Sequence, residues 1–501
     1  MEALQERLVA AGEWIWGPMV PVVLLAGVVF TVITRGVQLT MLPEMFRTLL
    51  DPPLKDEHGN DRSVSTLAAF SISAAGRIGT ANVAGVATAV ALGGAGAVFW
   101  MWVTALLGAA TAFVESTVAQ LYKVRDGDAY RGGGAVTYEK ALGSRAGGVL
   151  FAVMVLVCAG ISFNMLQANT VTQAVVNSAG DNGGTTLKWV SAAVVAALTA
   201  AVVLGGVRRI GKVTEWMVPF MAAAYLVLGG VIVVTNVQHV PEVFGEIFGQ
   251  AFGVREAVAG AFGTMVLQGV RRAMFSNEAG MGLGGHAAAS ASVSHPVKQG
   301  FAQVLGVYLD TLVVCSITAF IVLSANPLLG GQPDAEGVTI ANDSVVDAVG
   351  SWGGVVLGAI LVVLAYSSVL ADYYYGESNV HYLTRNKAVH KAFGVVFVVL
   401  TFLGGVLEPT LLWTLADVLF PLLALLTIGS LLVLSPKAGW LLQDYRRQRR
   451  EGRQPVFTAD RAPRSWKGVT AWAPEDAMDH DQAQAYRREH GLAGTAAPVA
   501  D

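Results

Sequence analysis

Charge is what this chain has least of. Only 14% of its 501 residues are Asp, Glu, Lys or Arg, against roughly 25% in an ordinary soluble protein. A soluble domain of this length needs a charged surface along all of it, so the shortage argues for a bilayer as solvent. Cysteine is nearly absent too. Cys158 and Cys315 stand alone, both inside apolar runs, which excludes a disulfide framework and any Cys-x-x-Cys metal pair. The eight histidines show no metal-binding spacing such as His-Glu-x-x-His, and each reads as a loop or interfacial residue. The N-terminus MEALQERLVAAGEW lacks a basic stretch and a small-residue cleavage site, so no cleaved signal peptide is expected. A net charge of -3 makes nucleic acid an unexpected partner. Gly-x-Ser-x-Gly and a paired aspartate motif are missing as well, so an enzyme is not expected.

What fills the chain is apolar sequence, 54% of it. A spanning helix needs roughly 20 apolar residues. Spans are expected near 14–34, 64–92, 96–122, 147–178, 187–206, 213–235, 257–285, 300–325, 351–376, 391–407 and 411–434, about eleven in an all-α polytopic membrane protein. Lys and Arg set the sidedness. One group of loops holds fifteen: Arg35, Arg47, Lys55, Arg62, Lys123, Arg125, Arg131, Lys140, Arg145, Arg208, Arg209, Lys212, Lys298, Arg385 and Lys387. The other group holds Arg7, Lys188 and Arg255. The first is therefore expected in the cytoplasm of a multi-pass plasma-membrane protein, with the N-terminus out and the C-terminus in. Residues 435–501 read as a solvated cytoplasmic tail that opens on the basic stretch RRQRREGR.

Two segments match at an offset of 195 residues. Arg77-Ile-Gly-Thr-Ala-Asn82-Val-Ala-Gly85 aligns with Arg272-Ala-Met-Phe-Ser-Asn277-Glu-Ala-Gly280, and the same offset pairs Glu115 with Asp310. Each segment interrupts an apolar span and begins a unit of five spans. An odd count turns the second copy over, which gives an inverted repeat. The expected organisation is an extra helix and loop in 1–63, one unit in 64–256, a second in 257–434 and the tail. Gly76, Gly79 and Gly85, with Thr80 and Asn82, suit a broken helix. Broken backbone at that depth is tolerated where it lines a cavity, and its freed amides and carbonyls can hold a carboxylate and a bare cation.

GGAGAVFWMW at 93–102 resembles the signature of the alanine or glycine:cation symporter family. MFSNEAGMG at 274–282, HPVKQG at 295–300 and YYGE at 374–377 are similar to further blocks of that family. The likeness covers roughly 65–435. It implies the leucine-transporter fold, with two inverted five-helix repeats behind one extra helix. It also implies sodium-coupled, sometimes proton-coupled, uptake of a small amino acid by a monomer or loose homo-oligomer embedded in lipid, with sodium as coupling ion and no organic cofactor.

On that resemblance the turn Gly79-Thr80-Ala81-Asn82 meets the substrate carboxylate. Ala81 stands where relatives commonly carry Gly, which narrows the approach. Gln167 is placed beside the substrate, and Ser276 and Asn277 complete the pocket. The carbonyls of Ala75 and Ile78 with the hydroxyls of Ser367 and Ser368 form a sodium site. Asp372 departs most from the family, where an aromatic residue is usual. An acid within a span costs about 2.5–3.5 kcal/mol on insertion scales, so it normally has a partner or a task. Contact with a substrate ammonium, a cation or a proton, or pairing with an Arg, all remain open for it. Arg77, Arg271 and Arg272 are expected to brace the broken segments against Glu115, Asp310 and Glu278.

Overall fold

A computed structural model describes the chain apart from residues 1, 57, 60, 62, 128, 181–183, 206, 253–258, 326–335 and 491–501. Arg62, Arg255, the side chain of Arg208 and the junction 256–257 between the two expected units fall outside the described residues. Nine helices among those described are long and apolar enough to cross a membrane. Their outer faces carry bare apolar side chains. Trp216 is 83% exposed and Val234 74%, which suits lipid and not water.

Two further expected spans are present in pieces. The first runs as Thr66–Arg77, breaks at 78–80, resumes as a π-helical turn Ala81–Gly85 and continues as Val86–Gly93. Ser65 starts it by accepting the Ala68 amide at 3.0 Å, a standard N-cap bond. The second runs as Ala259–Asn277 and resumes as Gly284–Ser290. Its gap holds Glu278, Gly280 and Gly282 at φ +53°, +86° and +78°. Glycine adopts such angles freely, whereas Glu278 needs help from its surroundings.

Close packing explains the glycine-rich stretch that opens the helix Gly96–Leu121. A methyl group on Gly96 would lie 2.3 Å from the Met265 sulfur, and one on Gly269 would lie 2.5 Å from the Ala97 carbonyl oxygen. Small residues thus let Ala259–Asn277 lie directly on this helix. Two long helices carry π-helical turns, Cys158–Phe163 and Tyr308–Cys315. Each widens the helix where polar side chains collect, a common mark of functional sites.

The stretch beyond 434 differs from the expectation of a solvated tail. The last long helix continues through Pro409–Arg450, and the chain then folds back over the membrane domain. Phe457 and Trp472 are fully buried. The Phe457 amide donates to Ser294 O at 2.8 Å, and the Trp472 indole N–H donates to Leu121 O at 3.1 Å. Arg125 grips Asp476 through two bonds of 2.9 and 2.7 Å, and the Tyr130 hydroxyl adds a third of 2.7 Å. Apolar side chains between the charges, which a reading by net polarity passes over, hold this segment down. Loops from the Lys- and Arg-rich set meet on this one face: Lys298 pairs with Asp51 at 2.5 Å, and Arg131 pairs with Glu377 at 2.8 Å.

Lys123 lies under the tail. Its ammonium sits 3.9 Å from the Tyr130 ring centre and 4.2 Å from that of Trp472. Burial pushes it from an ordinary 10.5 down to about 7, with Asp476 pulling upward and Arg125 adding to the fall. The undocked state then holds more protons between about pH 7 and 10.5. The penalty on docking is full below that window and fades as pH rises through it. Protease protection of the tail is expected to strengthen from pH 7 to about pH 9, and Lys123→Met to remove that dependence. Trp472→Ala is expected to weaken docking by about 3 kcal/mol, read as earlier tail cleavage at every pH.

Candidate functional site

Backbone freed by a helix break has to find partners, because no water reaches it at membrane depth. At the first break, Asn82 Oδ1 accepts the Gly79 amide at 2.8 Å. Gln167 Oε1 accepts the Thr80 amide at 3.2 Å and also bonds the Thr80 hydroxyl. The two amides expected to receive a carboxylate are therefore occupied by carboxamide oxygens of the protein itself.

At the second break the acceptor is Glu115. Its Oε2 takes the amides of Gly280 and Gly282 at 3.0 and 3.1 Å, and its Oε1 takes that of Gly285 at 3.0 Å. Asp310 does the corresponding work for the first segment. It accepts from Asn82 Nδ2 at 2.5 Å, from Thr311 Oγ1 at 2.7 Å and from the Ser276 hydroxyl. The two acids paired by the 195-residue offset therefore each hold the broken segment of the other half.

Between the breaks lies a cavity of about 10 Å³, room for about one water. Thr80, Ala81, Gln167 and Asp372 line it, together with Glu278 and the aromatic rings of Phe163, Phe275 and Trp413. Gly79 backs directly onto its neighbours. A methyl group there would lie 2.3 Å from Ser368 Oγ and 3.1 Å from the Gln167 amide nitrogen. Ser276, Asn277 and Asn82 point elsewhere. Ser276 and Asn82 cradle Asp310, while Asn277 donates to Thr311 at 3.2 Å and accepts the Ala279 amide at 3.0 Å. Ser276 and Asn277, expected to complete the pocket, are not among the residues that line this cavity, because the helical turn before the gap aims both at the helix Val297–Ala325.

Three residues of the expected sodium site, Ala75, Ser367 and Ser368, meet across two helices. Ser368 Oγ donates to the Ala75 carbonyl at 2.8 Å, and Ser367 Oγ reaches it at 3.4 Å. Ile78 ends the half-helix at φ -80°, ψ 87°. Both hydroxyls also bond Leu364 O, at 2.8 and 3.3 Å, so each has a resting partner within its own helix. An oxygen-only donor set of this kind suits a hard cation.

Asp372 is 3% exposed, and its Oδ2 has no hydrogen-bond partner among the described residues. Nothing pairs it with an Arg. Arg271 and Arg272 instead turn to Asp417, at 3.3 and 3.8 Å, and the Arg272 guanidinium stacks 4.5 Å over Trp413. Arg77 donates to the Gln303 carbonyl at 3.2 Å. The expected acidic partners of Arg271 and Arg272 are thus replaced by Asp417. Sequence reading also missed Glu278 and Trp413 as cavity residues. Glu278 was legible from its place beside the break, whereas Trp413 arrives from a distant helix and left no local signal.

In chemical terms the cavity presents Thr80, held by Gln167, the acids Asp372 and Glu278 with Arg77 beside them, and aromatic walls that limit size. The sequence model of the sodium:alanine symporter family matches residues 1–459. The amino-acid carrier protein AlsT of Bacillus subtilis is 38% identical over 463 residues, 92% of this chain and 96% of the relative. The probable sodium/glutamine symporter GlnT of the same organism is 38% identical over 478 residues, 95% and 98% of the two chains. The sodium/alanine symporter AgcS of Methanococcus maripaludis is 36% identical over 430 residues, 84% and 93% of the two chains. Among solved structures, MhsT in complex with L-phenylalanine superposes with a TM-score of 0.54 at 14% identity, over 78% of this chain and 99% of that one. It shares the fold.

Glu115→Ala is expected to orphan three buried amides, at about 1–3 kcal/mol each. The measurement is the melting temperature in detergent, with Glu115→Gln falling between the alanine variant and the parent.

Proposed function

The chain belongs to the sodium:alanine symporter family, and from that premise we propose that it carries a small neutral amino acid, alanine or glycine, into the cell on the sodium gradient. It is a multi-pass membrane transporter and not an enzyme. The family and its amino-acid carriers make it a sodium-coupled amino-acid transporter. The observation that carries the finer reading is Gln167. Its carboxamide oxygen occupies the Thr80 amide and hydroxyl, the place a substrate carboxylate takes, next to the Ala75–Ser368 contact.

The proposal implies a cycle. Two inverted five-helix units, 64–256 and 257–434, rock about the cavity in the plasma membrane, with the N-terminus out and the C-terminus in. Sodium enters from outside and gathers the Ala75 and Ile78 carbonyls with the Ser367 and Ser368 hydroxyls. That ties the first broken helix to the helix Ser351–Leu383. The amino-acid carboxylate then displaces Gln167 from Thr80. Each ligand strengthens the other by linkage, and the membrane potential contributes about 2.3 kcal/mol per charge per 100 mV. Ala81 and the aromatic walls keep the accepted side chain small.

A second reading rests on Asp372. An acid with an unsatisfied oxygen facing the cavity, beside Glu278, suits a cationic amine, a different amino acid or a proton as the coupled species. One relative is named a putative sodium/proton-dependent alanine carrier.

Uptake of labelled alanine or glycine into proteoliposomes is expected to need an inward sodium gradient, and equal uptake without it would sink the coupling. Asp372→Asn is expected to leave the preference for neutral amino acids intact. A shift in selectivity or in pH dependence, read with a panel of competing amino acids and amines, would favour the second reading.

A further inference from the structure

Outside the central cavity, a group of metal-ligating side chains converges where the helices Ser351–Leu383 and Lys387–Val406 meet the hairpin Val124–Arg131. Glu377 and His381 stand four residues apart on one helix, hence on one face. His390 reaches across from the next helix. One donor atom from each lies within 4.8 Å of the others. This is the combination that no spacing in the sequence revealed, because the third residue arrives from a separate helix.

The hydrogen bonds favour an ion at this point. His390 Nε2 lies 3.0 Å from the Thr384 carbonyl, which can only accept, so Nε2 carries the hydrogen. In the neutral ring Nδ1 is then a lone pair, and it faces Glu377 Oε1 at 3.3 Å. A lone pair facing a carboxylate oxygen at that separation calls for a cation between them, a proton or a metal ion. His381 adds a second ring. Its Nε2 approaches Asp126 Oδ2 at 3.2 Å, yet makes no hydrogen bond. A ring nitrogen fixed by a backbone carbonyl on its far side is the usual support of a metal-binding histidine. Arg131 and Arg385 take Glu377 Oε2 and Asp126 Oδ1, at 2.8 and 2.6 Å. Those pairs leave Glu377 Oε1 free for the site.

We propose that Glu377 Oε1, His381 Nε2 and His390 Nδ1 bind one divalent transition-metal ion of the zinc class, with a fourth position open to water. Two imidazoles and one carboxylate are a donor set that zinc and cobalt accept in tetrahedral geometry. Entry is provided by a cavity of about 770 Å³ between the membrane domain and the docked tail, lined by His381, Asp126, Arg385 and Trp472. The ion pins the two helices to each other beside the hairpin that carries the tail, so it acts as a brace on this face.

The test is a cobalt(II) titration of the purified full-length protein in detergent, with any affinity tag removed. The expected result is the visible absorption band of tetrahedral cobalt, saturating at one ion per chain and abolished by added zinc. His381→Gln and His390→Gln should each weaken binding by about tenfold or more, while the tail variant His480→Gln/His490→Gln leaves it unchanged. Melting temperatures without metal establish that the variants are folded, and Glu377→Gln gives a third reading. Absence of the band overturns the proposal. So does a band that survives in folded His381→Gln and His390→Gln.

Discussion

Everything at the centre of this protein depends on two buried carboxylates, Glu115 holding freed backbone directly and Asp310 holding the side chains beside each break. Glu115 receives two amides of the gap between Asn277 and Gly284 and a third, from Gly285, in the first turn of the helix that follows. Asp310 holds Asn82, whose own oxygen holds the Gly79 amide. The arrangement is crossed: Glu115 serves the break of the other half, and Asp310 links Asn82 of the other half to Ser276 of its own. A peptide amide left bare in an apolar interior costs several kcal/mol, so the second gap is untenable without Glu115 of the first half, and the first leans on the second half through the hold of Asp310 on Asn82. The two halves are thereby obliged to fold together, and the cavity exists only where they meet.

The same demand explains residues that otherwise look decorative. Glu278 takes a left-handed backbone angle because the turn around it is fixed on both sides, by Asn277 accepting the Ala279 amide and by Glu115 accepting the next ones. Tyr375 sits where a methyl group on Gly76 would lie 2.7 Å from its hydroxyl, so the first half-helix lies hard against the helix that carries Ser367 and Ser368. Small residues bring the backbones close, and the polar atoms they expose are then captured by hydroxyl, amide and carboxylate side chains within reach. A hydroxyl whose hydrogen already has a carbonyl partner, as both serines have, keeps its oxygen lone pairs free for an ion.

Much of this was legible in the sequence. Long apolar runs announced the spans, since bilayer thickness fixes helix length. A Gly-rich interruption with Thr80 and Asn82 marked the first break, and the 195-residue offset marked the second and picked out Glu115 and Asp310 as equivalents. Asp372 stood out because an acid inside an apolar run is expensive. What stayed hidden was whatever depends on a partner from far along the chain. Asp417 gave no sign that it would take Arg271 and Arg272, and Ser276 and Asn277 gave none of the half-turn that aims them at Asp310 and Thr311. The docked tail escaped for a related reason. Its composition is polar, while its attachment rests on a few buried rings, Phe457 and Trp472, that meet surfaces built from other segments.

Gln167 carries one more consequence. A carrier that moves cargo in one direction must also reset with nothing aboard, and a bare Thr80 amide would make that empty stroke unfavourable at membrane depth. On the proposed cycle the Gln167 oxygen removes that obstacle, because it satisfies the Thr80 amide without cargo. Turnover in that cycle would be governed by how readily this oxygen yields to the cargo, so one carboxamide would set the balance between gripping and releasing it.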